Sequence, residues 1–268
     1  MKNSNTEFRS RMLTEERRQR IVSLIEERGM VSAEDLCTQM GVSDMTIWRD
    51  LNALEEAGKL QRIRGGAVRI ENVSGIEPLY ASKHRVNPAQ KDAIARYAAH
   101  HFVRDDDIII LEAGTTVAAM VKYLHHRNLT VVTNGLGSVN EAAPSVPDIT
   151  VLCCGGILRQ GAFTFVGPQA VQFFQNISAQ TFFLGASGLA FPQGITDPSP
   201  LEIQVKQAMA ASAERIVVLI DSSKLGSSSL SPILPLNSID TLVTDSGASD
   251  GIVGQLRAVG VDVHIVQA

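Results

Sequence analysis

Residues 41–60 read GVSDMTIWRDLNALEEAGKL, and the spacing within this stretch decides the fold of the N-terminal part. Ile47, Leu51 and Leu54 recur at helical intervals and form an inward face. Met45, Trp48, Arg49 and Asn52 are left pointing outward, and Trp48 is the only tryptophan in 268 residues. An indole beside a guanidinium on such a face asks for a partner beyond the helix's own core.

The flanking residues supply a context. Residues 14–28 place Ile21, Leu24 and Ile25 on one face, with Thr14 a candidate N-cap and Gly29 as the stop. Ser32 then caps a second helix, with Asp35 three positions on and Leu36 and Met40 facing inward. Gly41-Val42 make a tight turn, Ser43 caps the third helix, and Gly58 ends it after about Ala57. A short helix, a glycine turn and a longer helix make a helix-turn-helix. KLQRIRGGAVRI follows as two short strands about Gly65-Gly66, a wing.

In a helix-turn-helix the second helix enters the major groove, so its outer face must offer hydrogen bonds and apolar contacts to bases and phosphates. The residues expected to touch DNA are Ser43, Met45, Thr46, Trp48, Arg49 and Asn52, with Arg62 and Arg64 of the wing reaching flanking phosphates. Trp48 has two open readings: along sugar and thymine-methyl surfaces, or packed on the helix flank against the wing or first helix.

Net charge is −4, which alone argues against a general nucleic-acid binder. Its distribution reverses that: residues 1–70 hold 12 Lys and Arg against 11 Asp and Glu, the remainder 12 against 17. The arginines also cluster, in RSRMLTEERRQR and QRIRGGAVRI, a local basic footprint on an acidic molecule. No apolar run approaches the roughly 18 to 20 residues that span a bilayer, and the polar N-terminus carries no secretory h-region, so a cytoplasmic protein is expected. Cys37, Cys153 and Cys154 form neither a disulfide framework nor a zinc spacing. The pairs His100-His101 and His125-His126 read as surface or capping residues, so no metal or cofactor is expected.

The N-terminal pattern resembles the DNA-binding domain of DeoR-type bacterial transcription regulators. The residues that carry the likeness are Val31-Ser32, Val42-Ser43, Thr46-Ile47, Arg49-Asp50-Leu51, Leu54-Glu55, Gly58, Arg62 and Gly65-Gly66-Ala67. Trp48 stands where that family usually has the first of two arginines, and Arg64 where it usually has histidine. The resemblance implies DNA binding with a sequence choice of its own.

Residues 71–80 are polar and irregular and read as a linker between a winged helix-turn-helix domain (1–70) and an α/β domain (81–268). In the latter, apolar stretches at 107–113, 129–134, 149–154, 180–186, 215–221, 240–245 and 261–266 alternate with helical patterns, which means a mainly parallel sheet covered on both faces. The strand ends run into small or polar residues, and in such a sheet ligands sit beyond the carboxyl ends of the strands. Gly114-Thr115-Thr116 opens a helix whose N–H groups would hold a phosphate. Lys224 and Arg159 would balance the anion, and Glu112, Asn134 and Asp221 would read hydroxyls. Thr133, Gly155, Gly156 and Ser187 sit in the same strand-end loops, and resemblance to the sensor domain of the same family adds Glu202 and Lys206 to the candidate ligand residues.

This half also resembles the effector-binding domain of DeoR-type regulators, through Asn87, Lys91, Gly114-Thr115-Thr116, Thr133-Asn134, Gly155-Gly156, Arg159, Glu202, Lys206 and Asp221-Ser222-Ser223-Lys224. Glu77-Pro78 belongs to the same pattern. The family's domain is similar in fold to ribose-5-phosphate isomerase and senses phosphorylated sugars, so a phosphosugar effector is implied. Departures are Glu112, Lys83 and Asp197-Pro198, and the added carboxylate at 197 argues toward a less anionic ligand. The expectation is a non-enzymatic, homo-oligomeric repressor of carbohydrate genes that binds operator DNA and responds to a small sugar metabolite. Two alternatives stand: an isomerase-like enzyme using Glu112, Glu202 and Lys206, and a winged helix that binds protein only.

Overall fold

The computed structural model describes residues 14–28, 30–57, 59–63, 65–68, 79–142 and 149–268. Gly29, Gly58, Arg64, Glu77-Pro78 and the first part of the linker therefore lie outside the described residues. The chain divides into two compact units, residues 1–73 and 74–268.

In the first unit, α1 (Thr14–Arg28) is followed by β1 (Met30–Ser32), α2 (Ala33–Met40), α3 (Asp44–Glu56), β2 (Gln61–Ile63) and β3 (Gly66–Val68). Thr14 already lies in α1 rather than capping it. Ile21, Leu24, Ile25, Leu36, Ile47, Leu51 and Leu60 are fully buried together, each contributing roughly 1.5–3 kcal/mol. Ser32 Oγ accepts the Asp35 N–H at 3.0 Å, as its spacing predicts. Gly41 ends α2 in the left-handed conformation, φ +64°, that its turn requires. Ser43 does not use its side chain as a cap: its hydroxyl meets that of Thr46 at 3.0 Å instead. The wing is three-stranded, in the order β1-β3-β2, because Met30–Ser32 pairs antiparallel with Gly66–Val68. A side chain at Gly66 would overlap the Val31 carbonyl, so glycine is what lets these strands close.

The second unit opens with α4 (Tyr80–Arg85), α5 (Pro88–Phe102), β4 (Ile108–Leu111), α6 (Thr115–Ala118), β5 (Thr130–Thr133), α7 (Leu136–Ala142), β6 (Thr150–Cys153), β7 (Ile157–Arg159) and β8 (Thr164–Val166). It continues with α8 (Pro168–Gln175), β9 (Ala179–Leu184), β10 (Gly188–Ala190), β11 (Gly194–Asp197), α9 (Pro200–Ala211), β12 (Ala213–Leu219), β13 (Ser231–Leu234), β14 (Thr241–Asp245), α10 (Asp250–Ala258) and β15 (Asp262–Val266). Among the described residues seven strands form one sheet, ordered β15-β14-β12-β9-β4-β5-β6, and every neighbouring pair is parallel. These are the seven apolar stretches of the sequence. One core cluster includes Ile110, Phe174, Phe182, Leu184, Val218 and Leu242, the other Ile94, Ile109, Leu111, Phe183, Val217 and Val243. Alternate residues of the same strands thus feed opposite faces, as a sheet covered on both sides demands. The hairpin β7–β8 and the small sheet β10-β11-β13 stand outside this frame. Their three- and four-residue strands carry too short a pattern to be read from sequence.

Candidate DNA-reading face and effector site

On α3 the packing places Ile47, Asp50, Leu51 and Leu54 inward. Ser43, Met45, Arg49 and Asn52 are exposed, and Thr46 and Trp48 half-buried. Arg49 has no ion pair or hydrogen bond among the described residues, so its donors face solvent. Trp48 follows the second of its two readings: it packs at the edge of the core, with the Arg62 guanidinium 5.8 Å from its ring centroid. Arg62 itself is engaged within the unit, through Nε to Glu55 Oε2 at 2.9 Å and its backbone N–H to Glu55 Oε1 at 2.8 Å. Arg62, expected to reach flanking phosphates, thus has a partner within its own unit. Asp50 is the residue that sequence reasoning missed. It is buried and accepts from Arg17 at 2.5 Å and Arg18 at 3.0 Å. Two arginines of the basic N-terminal cluster are therefore spent on locking α1 to α3.

In the second unit, the expected ligand residues do collect beyond the carboxyl ends of the strands. Glu112 follows β4, Asn134 follows β5, Gly155-Gly156 follow β6 and Asp221 follows β12. Lys206 on α9 lies 2.6 Å from Asp197 Oδ2, 3.1 Å from Glu112 Oε1 and 3.9 Å from Glu202 Oε2. Arg159, at the end of β7, donates to the other oxygen of Glu202. Glu112, Asp197, Glu202 and Lys206 are each at most 3% exposed. Burial alone would pull the Lys206 ammonium below its ordinary value, but Asp197, Glu112 and Glu202 overcome that and hold it well above. Asp197, at the end of β11, was noted in the sequence only as a departure. The structure makes it the shortest contact of Lys206.

One N–H of the phosphate cradle expected at Gly114-Thr115-Thr116 is taken up inside the protein. Helix α6 is a single four-residue turn, and the Gly114 N–H donates to Glu112 Oε2 at 2.7 Å, joined by Gly185 N–H at 3.3 Å. Thr115 and Thr116 are buried, and their hydroxyls meet no partner among the described residues. Thr133 is structural: its hydroxyl donates to the Leu111 carbonyl at 2.7 Å and accepts from the Gly135 N–H at 2.9 Å. Asn134 donates to Thr164 Oγ1 at 2.9 Å, while its buried Oδ1 finds no donor among the described residues. Gly155 and Gly156, at φ +64° and +103°, turn the chain from β6 into β7 and so set the position of Arg159. Ser187 is half-buried between β9 and β10.

The end of β12 forms a second group, two strands from β4 and so about 10 Å away across the sheet. Asp221 accepts from Asn87 Nδ2 at 2.9 Å and from Ser223. Lys91 is buried and donates to the Lys83 carbonyl. Burial pulls Lys91 down to about 8, with Asp221 opposing and Lys224 and Lys83 adding to the fall. Lys224 is half-buried with no ion pair among the described residues. Lys91 and Asn87 belong to this group, and a buried lysine on an otherwise alanine-rich helix was the signal for the former. Of the histidines expected at the surface or at helix ends, His126 is half-buried and its Nδ1 has no partner among the described residues.

Two family models match the chain: the DeoR-like helix-turn-helix domain over residues 17–73, and the DeoR C terminal sensor domain over residues 86–246. The HTH-type transcriptional regulator GolR of Listeria innocua is 32% identical over 255 residues, covering 94% of this chain and 98% of that one. The putative aga operon transcriptional repressor of Escherichia coli O157:H7 is 33% identical, covering 94% of both chains. Among solved structures, ribose 5-phosphate isomerase A from Methanocaldococcus jannaschii is similar at 18% identity, with a TM-score of 0.38 over 52% of this chain and 55% of that chain.

Proposed function

The chain belongs to the DeoR family of helix-turn-helix transcriptional regulators, and from that premise we propose that it is a cytoplasmic, homo-oligomeric repressor of carbohydrate genes released or tightened by a small sugar metabolite. The exposed face of α3, with Arg49 free of any side-chain partner among the described residues, supports operator reading. Two or more copies would match repeated half-sites.

The observation that carries the effector reading is the chemistry gathered at one sheet edge. Buried Glu112, Asp197, Glu202 and Lys206, with half-buried Arg159 on Glu202, form a mutually paired set of acceptors and donors suited to sugar hydroxyls. Lys224, Lys91, Thr115 and Thr116 supply cations and hydroxyls suited to a phosphate or carboxylate. A polyhydroxylated ligand with one anionic end fits both groups. The carboxylates are each paired with a protein cation, which favours binding over the acid–base turnover of the isomerase alternative.

A thermal-shift screen of the full chain against sugar phosphates, free sugars and sugar acids tests this, because a ligand bound only to the native state raises the melting point by mass action. A phosphosugar shift lost in Lys224→Ala and Thr115→Ala supports the anionic-end assignment. A response confined to uncharged sugars, unaffected by Lys224→Ala, would remove Lys224 and the threonines from the site.

A further inference from the structure

Helix α4 comes directly after the stretch that joins the two units in sequence, and residues of the candidate effector site hold it at both ends. At its start the Tyr80 N–H donates to the Gly161 carbonyl at 2.7 Å. The Tyr80 ring stacks on Phe163, centroids 5.0 Å apart and planes inclined by 14°. Gly161 and Phe163 form the turn of the β7–β8 hairpin. One strand of that hairpin carries Arg159 to Glu202, and the other gives Thr164 to Asn134. Phe163 sits at φ +55°, a left-handed conformation that a bulky side chain adopts only when its surroundings impose it.

At the other end of α4, Lys91 donates to the Lys83 carbonyl, and Asn87 reaches Asp221 at 2.9 Å. Asn87 too is left-handed, at φ +50°. Between these ends α4 packs on α6, the turn that carries Thr115 and Thr116. The Tyr80 hydroxyl lies against Gly137 in the first turn of α7, where any Cβ would overlap it. Burial, with Glu141 and Glu112 adding to it, pushes the Tyr80 phenol up to about 12, so it stays a neutral donor. Glu112 and Asn134 thus frame the same corner from the site side.

We propose that α4 is the relay between the effector site and the DNA-reading unit, with Tyr80 and Phe163 as its positioning residues. This rests on the regulator reading above. A ligand that draws Arg159 from Glu202 shifts the hairpin and its turn, and one that takes Asp221 from Asn87 frees the far end. Either change is passed to Tyr80 and so to the chain leading back to α3. The strained Phe163 is the point where the turn has an alternative conformation to relax into.

Two measurements on the full chain decide it. Hydrogen–deuterium exchange compares wild type with Arg159→Ala and with Glu202→Gln, the latter keeping the side-chain shape. Both variants are expected to speed exchange of the 80–86 amides at least ten-fold while leaving 241–245 unchanged. Unaltered exchange at 80–86, with faster exchange confined to 157–166, overturns the relay. The second measurement is affinity for the duplex that wild type selects from a random-sequence pool. Phe163→Ala is expected to change that affinity at least five-fold, and Arg159→Ala added to it to change it little further. Equal affinity in wild type and Phe163→Ala overturns the relay but leaves the regulator reading intact. A wild-type chain that selects no duplex sinks the regulator reading, and the relay with it.

Discussion

On α3 of the first unit, Arg49 and Asn52 stand in solvent with no side-chain partner among the described residues, whereas Glu112, Asp197, Glu202 and Lys206 of the second unit are buried and grip one another. The contrast follows from the size of what each must bind. DNA brings its own rigid array of phosphates and base edges, so the protein needs free donors on a firm support, and hydration of those donors is cheap. A metabolite enclosed in the protein must find its partners already desolvated and oriented, and until it arrives they satisfy each other. The support beneath α3 is itself a buried ion pair, Asp50 with Arg17 and Arg18. The same device therefore serves rigidity in one unit and, in the proposed function, recognition in the other.

Removing the central cation should produce the largest effect. Lys206→Met leaves Glu112 and Asp197 buried with no cation, and should cost about 3–5 kcal/mol of the second unit's stability in urea unfolding. Loss below about 1 kcal/mol would mean the cluster is far wetter than its burial indicates. Asp50→Ala is expected to cost about 3 kcal/mol in the first unit, since it removes the buried acceptor that Arg17 and Arg18 share. It should also abolish DNA binding, although Asp50 touches no DNA; unchanged affinity would break the claim that this pair is the support of α3.

Lys91 offers a test by pH. Its native value of about 8 lies below the ordinary 10.5, so between these values the unfolded chain binds more protons than the folded one. Stability therefore gains from Lys91 as pH rises from 8 to 10.5, and below 8 its burial carries the full cost. The stability of wild type relative to Lys91→Met should rise by roughly 2–3 kcal/mol across that window. A flat difference would mean that Lys91 keeps its proton through a partner stronger than the Lys83 carbonyl.

The smallest effect on stability should come from Arg49→Ala, within about 0.5 kcal/mol of wild type. DNA affinity should nonetheless fall by about 1–3 kcal/mol. Arg62→Ala separates the two roles more finely: it removes a half-exposed pair with Glu55, worth under about 1 kcal/mol. If its DNA affinity falls as far as that of Arg49→Ala, Arg62 leaves Glu55 for phosphate in the complex.

The main sheet was legible because each of its strands is a nearly continuous apolar run, from Ile108–Leu111 to Asp262–Val266. The three helices of the first unit were legible for the same reason at a different period. Strand β1 was not, since Met30–Ser32 is three residues long and its partner, Gly66–Val68, lies more than thirty residues further along the chain. Residue types at the candidate site could be chosen from strand-end position alone, but their partnerships could not. Nothing local in Glu112 or Asp197 shows that both meet Lys206, or that Gly114 donates inward to Glu112. Asp50 was hidden likewise: a carboxylate at the helical position between Ile47 and Leu54 looks exposed until Arg17, 33 residues earlier, is folded against it.

A metabolite-responsive regulator requires the two kinds of site to communicate. The direct measurement is fluorescence anisotropy of the full chain on its selected duplex, with and without the compound that most raises its melting temperature. The prediction is that the compound changes DNA Kd by at least five-fold, and that saturating DNA changes the compound's Kd by the same factor. Tight binding of both with neither affinity altered would contradict it.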